Sequence, residues 1–469
     1  MQRHFSCCMR KNKDESKNIE IITNQKYMEK EKKMKVAMIC HFSNEMVRDK
    51  LIFSKGHVKA LLKRFISKKQ NFVGSGDFAP WVTNVIKEFD KRREIDFYII
   101  SPHVGMKKKQ QTFILSNVTY YFFRPFLLFP LNYIEKLLYP KQYKEFPRNR
   151  RIVNSIVESL SPDVVLLCGS ENPYYSITVL DIKKIPILLL CQTVYSNPNR
   201  KGITSDNKSL FELRWNVEQQ IYRKIKYYAC FSKLHHDLVK KYVPNSIVFP
   251  LVWPQSSFPD IPEVQKKYDF AFFAQRVTKD KGIYNALQAL SIVKRQKSDV
   301  SLLVVGIIPN DEKLLFEDTV KKLKLDNNII YHDYFPIQTD MFKYVKQASF
   351  ALLPIILDSV PGTIIQSFRL GMPVVTHITS GTPSLNEFGE TVLLSNIDDD
   401  ETTAKNMLRL LNDPELGERL KMNANRYIEF LDEKHKKGAD VLINSINAII
   451  NKECNNIEIP QELLFGSNI

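Results

Sequence analysis

The chain has 469 residues, with 68 Lys+Arg against 51 Asp+Glu and a formal net charge of +17. Apolar residues make up 44% and charged residues 25%, an ordinary globular composition that excludes a mainly disordered chain, a fibre and a low-complexity scaffold. At roughly 100–200 residues per domain, this length suggests two or three domains with sizeable cores.

Residues 1–34 are polar and Lys-rich, lack the apolar segment of a signal peptide, and read as a disordered basic extension, with Met34 a second candidate start. Short apolar runs then alternate with helical patterns, the signature of βαβ units and parallel sheets. Strand-like runs lie at 35–41, 96–101, 163–168, 186–191, 227–230 and 246–249, with helical patterns at 78–92 and 209–225. A Pro-rich stretch at 250–262 (PLVWPQSSFPDIP) reads as a linker. A second series follows at 268–273, 301–305, 328–331, 349–353 and 373–375, with helices at 281–297, 311–324, 337–346 and 363–370, and a charged helical end over 400–450. The expected architecture is α/β: two doubly wound, Rossmann-like parallel-sheet domains facing across a cleft. The division is a 1–34 extension, a 35–250 N-terminal domain, a 251–266 linker, a 267–430 C-terminal domain and a 431–469 helix and tail. Ligands in such sheets bind at the carboxyl ends of the strands.

No apolar run approaches the ~18 residues of a membrane span. Cys40, Cys168, Cys191 and Cys230 each close an apolar run and are expected to be buried and reduced, which points to the cytoplasm. Residues 105–151 carry ten Lys/Arg, eleven Phe/Tyr and only two acids, Glu135 and Glu145. Aromatics interleaved with cations suit an anionic membrane surface, with an excursion packed on the N-terminal domain as the equal alternative. No nucleic-acid motif accompanies the stretch, so no nucleic-acid partner is expected.

Chemistry concentrates in 349–394. After the strand at 349–353, Asp358 and Gln366 bracket a turn and a helix start. The amides of Gly362, Thr363 and Ile364 would point out of that helix N-terminus, where the partial positive charge suits a phosphate. Gln366, one turn on, would face the same pocket and hold a ribose hydroxyl. Arg276 and Lys281 follow the first strand of the same domain, at the same sheet edge, and two cations there would neutralise a diphosphate leaving group. In the N-terminal half, His41 ends the first strand, and Glu171 and Gln192 follow the strands at 163–168 and 186–191. These are the candidates for orienting an acceptor hydroxyl. The Gly74-Ser75-Gly76 turn would bring backbone N–H groups, Gly76 included, near the donor, or is a plain turn before a helix. Asp398-Asp399-Asp400 contains a D-x-D, which helix N-capping explains better than a metal. No G-x-G-x-x-G follows a strand, which disfavours a dinucleotide oxidoreductase.

These residues resemble the C-terminal domain of the family 4 glycosyltransferases of the GT-B fold, the glycosyl transferases group 1. The family's R-x4-K-G stands here as Arg276-Val-Thr-Lys-Asp-Lys281-Gly282, and its E-G-x-P-G-x3-E-A-x3-G-x-P-V-V as Asp358-Ser-Val-Pro361-Gly362-Thr-Ile-Ile-Gln366-Ser-Phe-Arg-Leu-Gly371-Met-Pro373-Val-Val. Gly381-Thr-Pro383 and Gly389-Glu390-Thr391 fit as well. The resemblance implies a retaining, metal-independent and cofactor-free transfer from a nucleotide-diphosphate sugar. Arg276 and Lys281 would lie on the diphosphate, Asp358 toward the donor sugar and Gln366 on the ribose. The implied acceptor is a saccharide, lipid-linked on a polyprenyl carrier, in bacterial surface polysaccharide synthesis at the inner membrane face. Both acidic motif positions differ here, as Asp358 and Gln366. Exchanging a charged for a neutral ribose contact costs about 1 kcal/mol. A sugar-nucleotide epimerase and a non-catalytic sugar-nucleotide-binding homologue remain the alternatives.

Overall fold

The computed structural model describes residues 33–53, 77–127, 131–138, 144–200, 208–255, 258–335, 337–357, 360–379, 381–387 and 389–466. Nearly all of the basic extension, the Gly74–Gly76 turn and Asp358 lie outside the described residues.

Two sheets organise the described residues. The first contains β1 (Met34–Ile39), β2 (Ile95–Pro102), β3 (Gln110–Leu115), β4 (Val118–Phe123), β5 (Val164–Cys168), β6 (Ile187–Leu190), β7 (Tyr227–Cys230) and β8 (Ile247–Pro250), in the order β3-β4-β2-β1-β5-β6-β7-β8. Every pairing in it is parallel except β3 with β4. The second contains β9 (Tyr268–Arg276), β10 (Leu302–Ile307), β11 (Ile329–His332), β12 (Ala348–Leu353), β13 (Val374–His377) and β14 (Val392–Ser395), in the all-parallel order β11-β10-β9-β12-β13-β14. Helices cover both faces of each sheet, so the central strands are apolar without alternation: all of VVLLC in β5 and ILLL in β6 is buried. Cys40, Cys168, Cys191 and Cys230 are free and buried within these cores.

In each sheet the chain lays strands first to one side of its founding strand and then to the other. The order therefore reverses between β1 and β5 in the first sheet, and between β9 and β12 in the second. Loops leave those neighbouring strands in opposite directions and open a crevice at their carboxyl ends.

The aromatic–basic stretch divides. In β4 the sequence alternates, so Tyr120 and Phe122 turn into the core, and Phe123 is buried as well. Phe113 of β3 stacks on Tyr120 and Phe122 at 5.3 and 5.8 Å. These rings are core, as the packed-excursion alternative has it, and are not interfacial aromatics. Beyond them, the helix Leu131–Leu138 leaves Leu131, Ile134, Leu137 and Leu138 exposed.

The stretch 251–266 is anchored at both ends rather than free. Trp253 joins the first core, Phe258 and Ile261 join the second, and Lys346 donates to the Ile261 carbonyl at 2.9 Å. The boundary drawn at 430 falls inside the helix Pro414–Lys436, which packs on the helix Gly362–Arg369, with Arg369 paired to Asp432. The next helix, Gly438–Asn455, returns to the other domain. Its Leu442, Ile446 and Ile449 lie in one cluster with Val36, Met38 and Val164. The end of the chain follows it, with the Phe465 amide donating to the Val248 carbonyl of β8 at 2.7 Å.

Candidate functional site

The β9/β12 crevice gathers the cationic motif and the helix start. Arg276 is the last residue of β9 and is exposed. A short turn of 3-10 helix, Lys279–Lys281, follows and ends at Gly282 with φ +82°. A Cβ at Gly282 would lie 1.8 Å from the Pro354 carbonyl oxygen, in the loop after β12, so only glycine allows the two loops to touch. The Ile356 amide donates to the Asp280 carbonyl at 3.3 Å and ties them. The loop carrying Arg276 and Lys281 is thereby fastened to the segment that leads into the helix Gly362–Arg369.

That helix has Pro361 as its N-cap residue and no side-chain cap. The expectation for its three amides is corrected at one position: the Ile364 amide donates to the Pro361 carbonyl at 3.0 Å, closing the first turn on itself. Among the described residues, the amides of Gly362 and Thr363 have no acceptor, and Gly362 faces open space. Gln366 lies one turn on, half-buried, its side-chain amide with no hydrogen-bond partner among the described residues. Two cations, two outward amides and a neutral amide side chain thus share one sheet edge, an arrangement suited to a polyanion with an attached polyol. The D-x-D is occupied otherwise. Asp399 caps the helix Asp400–Asn412 by accepting from the Thr402 amide at 3.0 Å, and Asn285 donates to Asp398 and Asp400 at 3.1 and 3.2 Å.

The β1/β5 crevice has the opposite character. His41 follows β1 and shares a 2.7 Å hydrogen bond between its Nδ1 and the Tyr174 hydroxyl. Phe78, Tyr174 and Tyr175 surround the ring, at 4.6, 5.4 and 6.1 Å between centroids. Burial, aided by His103, pushes its pKa down to about 4, so it is a neutral brace at pH 7. Glu171 follows β5 and folds back over Gly169, whose φ is +79°. Its carboxylate sits where a Cβ at that glycine would be, 2.2 Å from it. The Gln192 amide is oriented by its neighbours: Nε2 donates to Glu171 Oε1 at 2.8 Å, and the amide oxygen accepts from Trp81 Nε1 at 2.6 Å. Glu171 Oε2 is buried and has no hydrogen-bond partner among the described residues. Burial, opposed by a hydrogen bond from its own backbone amide and by the pull of Arg214 and Arg200 and aided by the nearby Glu218 carboxylate, raises the Glu171 pKa to about 7.

Sequence reasoning missed Trp81, Tyr174 and Glu218. Trp81 sits in the first turn of the helix Pro80–Asp90 and is still 39% exposed, unusual for so large an apolar ring. Glu218, on the helix Lys208–Lys224, is fully buried. It accepts from the Tyr195 and Ser196 amides at 3.0 and 2.6 Å, from Ser170 Oγ at 2.8 Å and from Ser196 Oγ, pinning the loops after β5 and β6. A charged residue in an otherwise amphipathic helix gave no local signal for this.

Residues 255–427 match the family model of the glycosyl transferases group 1. Over 157 residues the chain is 24% identical to the capsular polysaccharide biosynthesis glycosyltransferase CapM of Staphylococcus aureus, covering 34% of this chain and 40% of that protein. Over 269 residues it is 22% identical to an uncharacterized glycosyltransferase of Methanocaldococcus jannaschii, covering 51% of this chain and 61% of that one. The chain thus spans about half the length of the curated relatives it matches. Among solved structures, a sucrose-phosphate synthase from Thermosynechococcus elongatus superposes with a TM-score of 0.62 at 13% identity, over 89% of this chain and all of the other. The fold is that of the GT-B glycosyltransferases.

Proposed function

We propose that this protein is a glycosyltransferase that moves a sugar from a nucleoside diphosphate sugar to a hydroxyl of a saccharide acceptor. The observation that supports this is the close approach of Gly282 to Pro354, which fastens the loop carrying Arg276 and Lys281 to the segment that leads into the helix opening at Gly362 and Thr363. Charge accumulates on the departing diphosphate as the glycosidic bond breaks. Fixed cations and helix amides aimed at it lower that barrier without reorganising solvent. Asp358, outside the described residues, belongs to the donor side by its motif position, and Gly76 by its place after the first strand.

The finer features of this reading are membership of family 4, transfer with retention and without a metal or cofactor, and a polyprenyl-linked acceptor in bacterial surface polysaccharide assembly. The name of the Staphylococcus aureus relative supports the last of these. A cytoplasmic enzyme resting on the inner face of the membrane fits the exposed row Leu131, Ile134, Leu137 and Leu138. These positions share one helix face, and Lys107, Lys108, Lys109 and Lys144 are exposed on the neighbouring segments. Flotation with phosphatidylglycerol vesicles at low salt tests it: retention is expected, with loss in a Leu137→Glu, Leu138→Glu variant. The activity is tested by mass spectrometry of a polyprenyl-linked acceptor pool incubated with a panel of nucleotide sugars. A hexose- or N-acetylhexosamine-sized gain that disappears in Arg276→Ala and Lys281→Ala establishes transfer. Epimerisation of the donor without an acceptor would replace this reading.

A further inference from the structure

The β1/β5 crevice lies outside the 255–427 match, and its central group is a carboxylate with half its hydrogen-bonding capacity unused. We propose that Glu171 is the acceptor-binding residue of the N-terminal domain, its Oε2 receiving the hydrogen bond of the hydroxyl that attacks the donor sugar, with Gln192 and Trp81 as positioning residues. This rests on the transferase reading and extends it to the acceptor side.

Three features of the fold converge on that oxygen. First, the chain makes room for the carboxylate: Gly169 takes a left-handed conformation, and any side chain there would occupy the carboxylate's place. Second, the other oxygen is locked. Trp81 Nε1 donates to Gln192, and Gln192 donates to Oε1, so a chain of donors running from a helix start through the end of β6 to the end of β5 determines where Oε2 points. Third, the carboxylate is not consumed by a neighbour. Glu218 takes its own donors from the Tyr195 and Ser196 amides and from two serine hydroxyls. Arg214 bonds the Tyr195 hydroxyl and reaches Asn172 Oδ1 at 3.4 Å. His41 is engaged with Tyr174.

A buried acceptor without a donor is unfavourable until a ligand supplies one. The ligand class follows from the surroundings. An anion is repelled by the carboxylate, whereas a pyranose supplies hydroxyl donors to it and a C–H face to the exposed Trp81 ring beside it. In the reaction the carboxylate aligns the acceptor O–H, the acceptor oxygen forms the new bond to the anomeric carbon, and the bond to the diphosphate breaks with its electron pair leaving on that group. The hydroxyl proton ends on an oxygen of the departing nucleoside diphosphate and leaves with it.

The test uses the full chain, nucleotide sugars and methyl glycosides of glucose, galactose and N-acetylglucosamine together with the polyprenyl-linked pool as acceptors. Transfer is read beside slow donor hydrolysis without acceptor, and beside binding of the free nucleoside diphosphate. Glu171→Gln is expected to lower kcat/KM for the acceptor about thirtyfold, the loss of a charged hydrogen bond, while hydrolysis and nucleotide affinity stay within about twofold. Glu171→Asp regains part of the loss, and Gln192→Leu, which frees the carboxylate, loses about fivefold. Unchanged transfer in Glu171→Gln, or an equal fall in transfer and hydrolysis, overturns the proposal. A wild-type protein that binds no nucleotide fails earlier and separately, removing the transferase reading and this inference together.

Discussion

The two crevices at which the sheet order reverses are built from opposite materials. At β9/β12, an exposed arginine, a half-buried lysine and two outward amides are held by backbone contacts between adjacent loops. At β1/β5, a carboxylate, a neutral histidine and a shell of aromatic rings are held by side chains that hydrogen-bond to one another. The difference follows from the ligand each would hold. A diphosphate needs fixed positive charge, which can stand in solvent because its ligand is itself strongly charged. A sugar hydroxyl is a weak partner in water, and discriminating it requires a desolvated acceptor whose direction is set in advance.

That contrast is broken most severely at the cationic side. Lys281→Ala should lower transfer by about 100- to 1000-fold, the usual effect of removing one group that stabilises transition-state charge, in a steady-state assay with saturating acceptor. Gly282→Ala should separate the two loops, because its Cβ would overlap the Pro354 oxygen at a positive φ. A loss of more than about 3 kcal/mol of stability, read by urea denaturation, is expected together with loss of donor binding.

On the carboxylate side the effect is pH-dependent. The folded Glu171 pKa is about 7, above its ordinary 4.5. The folded protein therefore binds the extra proton more tightly, and stability falls as pH rises from about 4.5 through 7. Glu171→Gln removes this charge, so it should stabilise the protein by roughly 3 kcal/mol at pH 8 and by little near pH 4.5, measured by thermal melts across pH. Acceptor kcat/KM of the wild type should rise with pH and level above about 7, and this rise should vanish in the variant. The groups facing Glu171 are Cys168 on its own strand, Tyr174 and Tyr175 after it, Arg200 beyond β6, Arg214 and Glu218 on the helix Lys208–Lys224, and His41 through Tyr174. The smallest change sharpens the donor side: Gln366→Glu restores a charge-assisted contact and should tighten nucleotide-sugar binding about fivefold in calorimetry.

Apart from β9, which runs three residues past its expected end, the expected strands appear within a residue or two of their runs, because a buried parallel strand is apolar along its length. The hairpin of β3 and β4 was hidden for the complementary reason. Its β3 strand alternates exposed and half-buried residues and reads as polar (QQTFIL), and the aromatic density of TYYFF resembles a lipid-facing surface until a core is placed behind it. The helix Gly438–Asn455 was legible as a helix, but its partner was not. Which domain receives Leu442 and Ile446 depends on where the preceding helix ends in space.

The donor motif was readable because its residues cluster in two short segments, 276–282 and 358–373, whose spacing reflects a strand end and a helix start. Local chemistry dictated that much: strand periodicity, helix starts, the glycine after Lys281 and the cations beside it. The acceptor crevice draws on His41, Trp81, Glu171 and Gln192, four residues separated by stretches of ordinary strand and helix. Only the packing of the first sheet sets a glutamine against a tryptophan and leaves one carboxylate oxygen unpaired, because hydrogen bonds between distant segments depend on distances that no local pattern encodes.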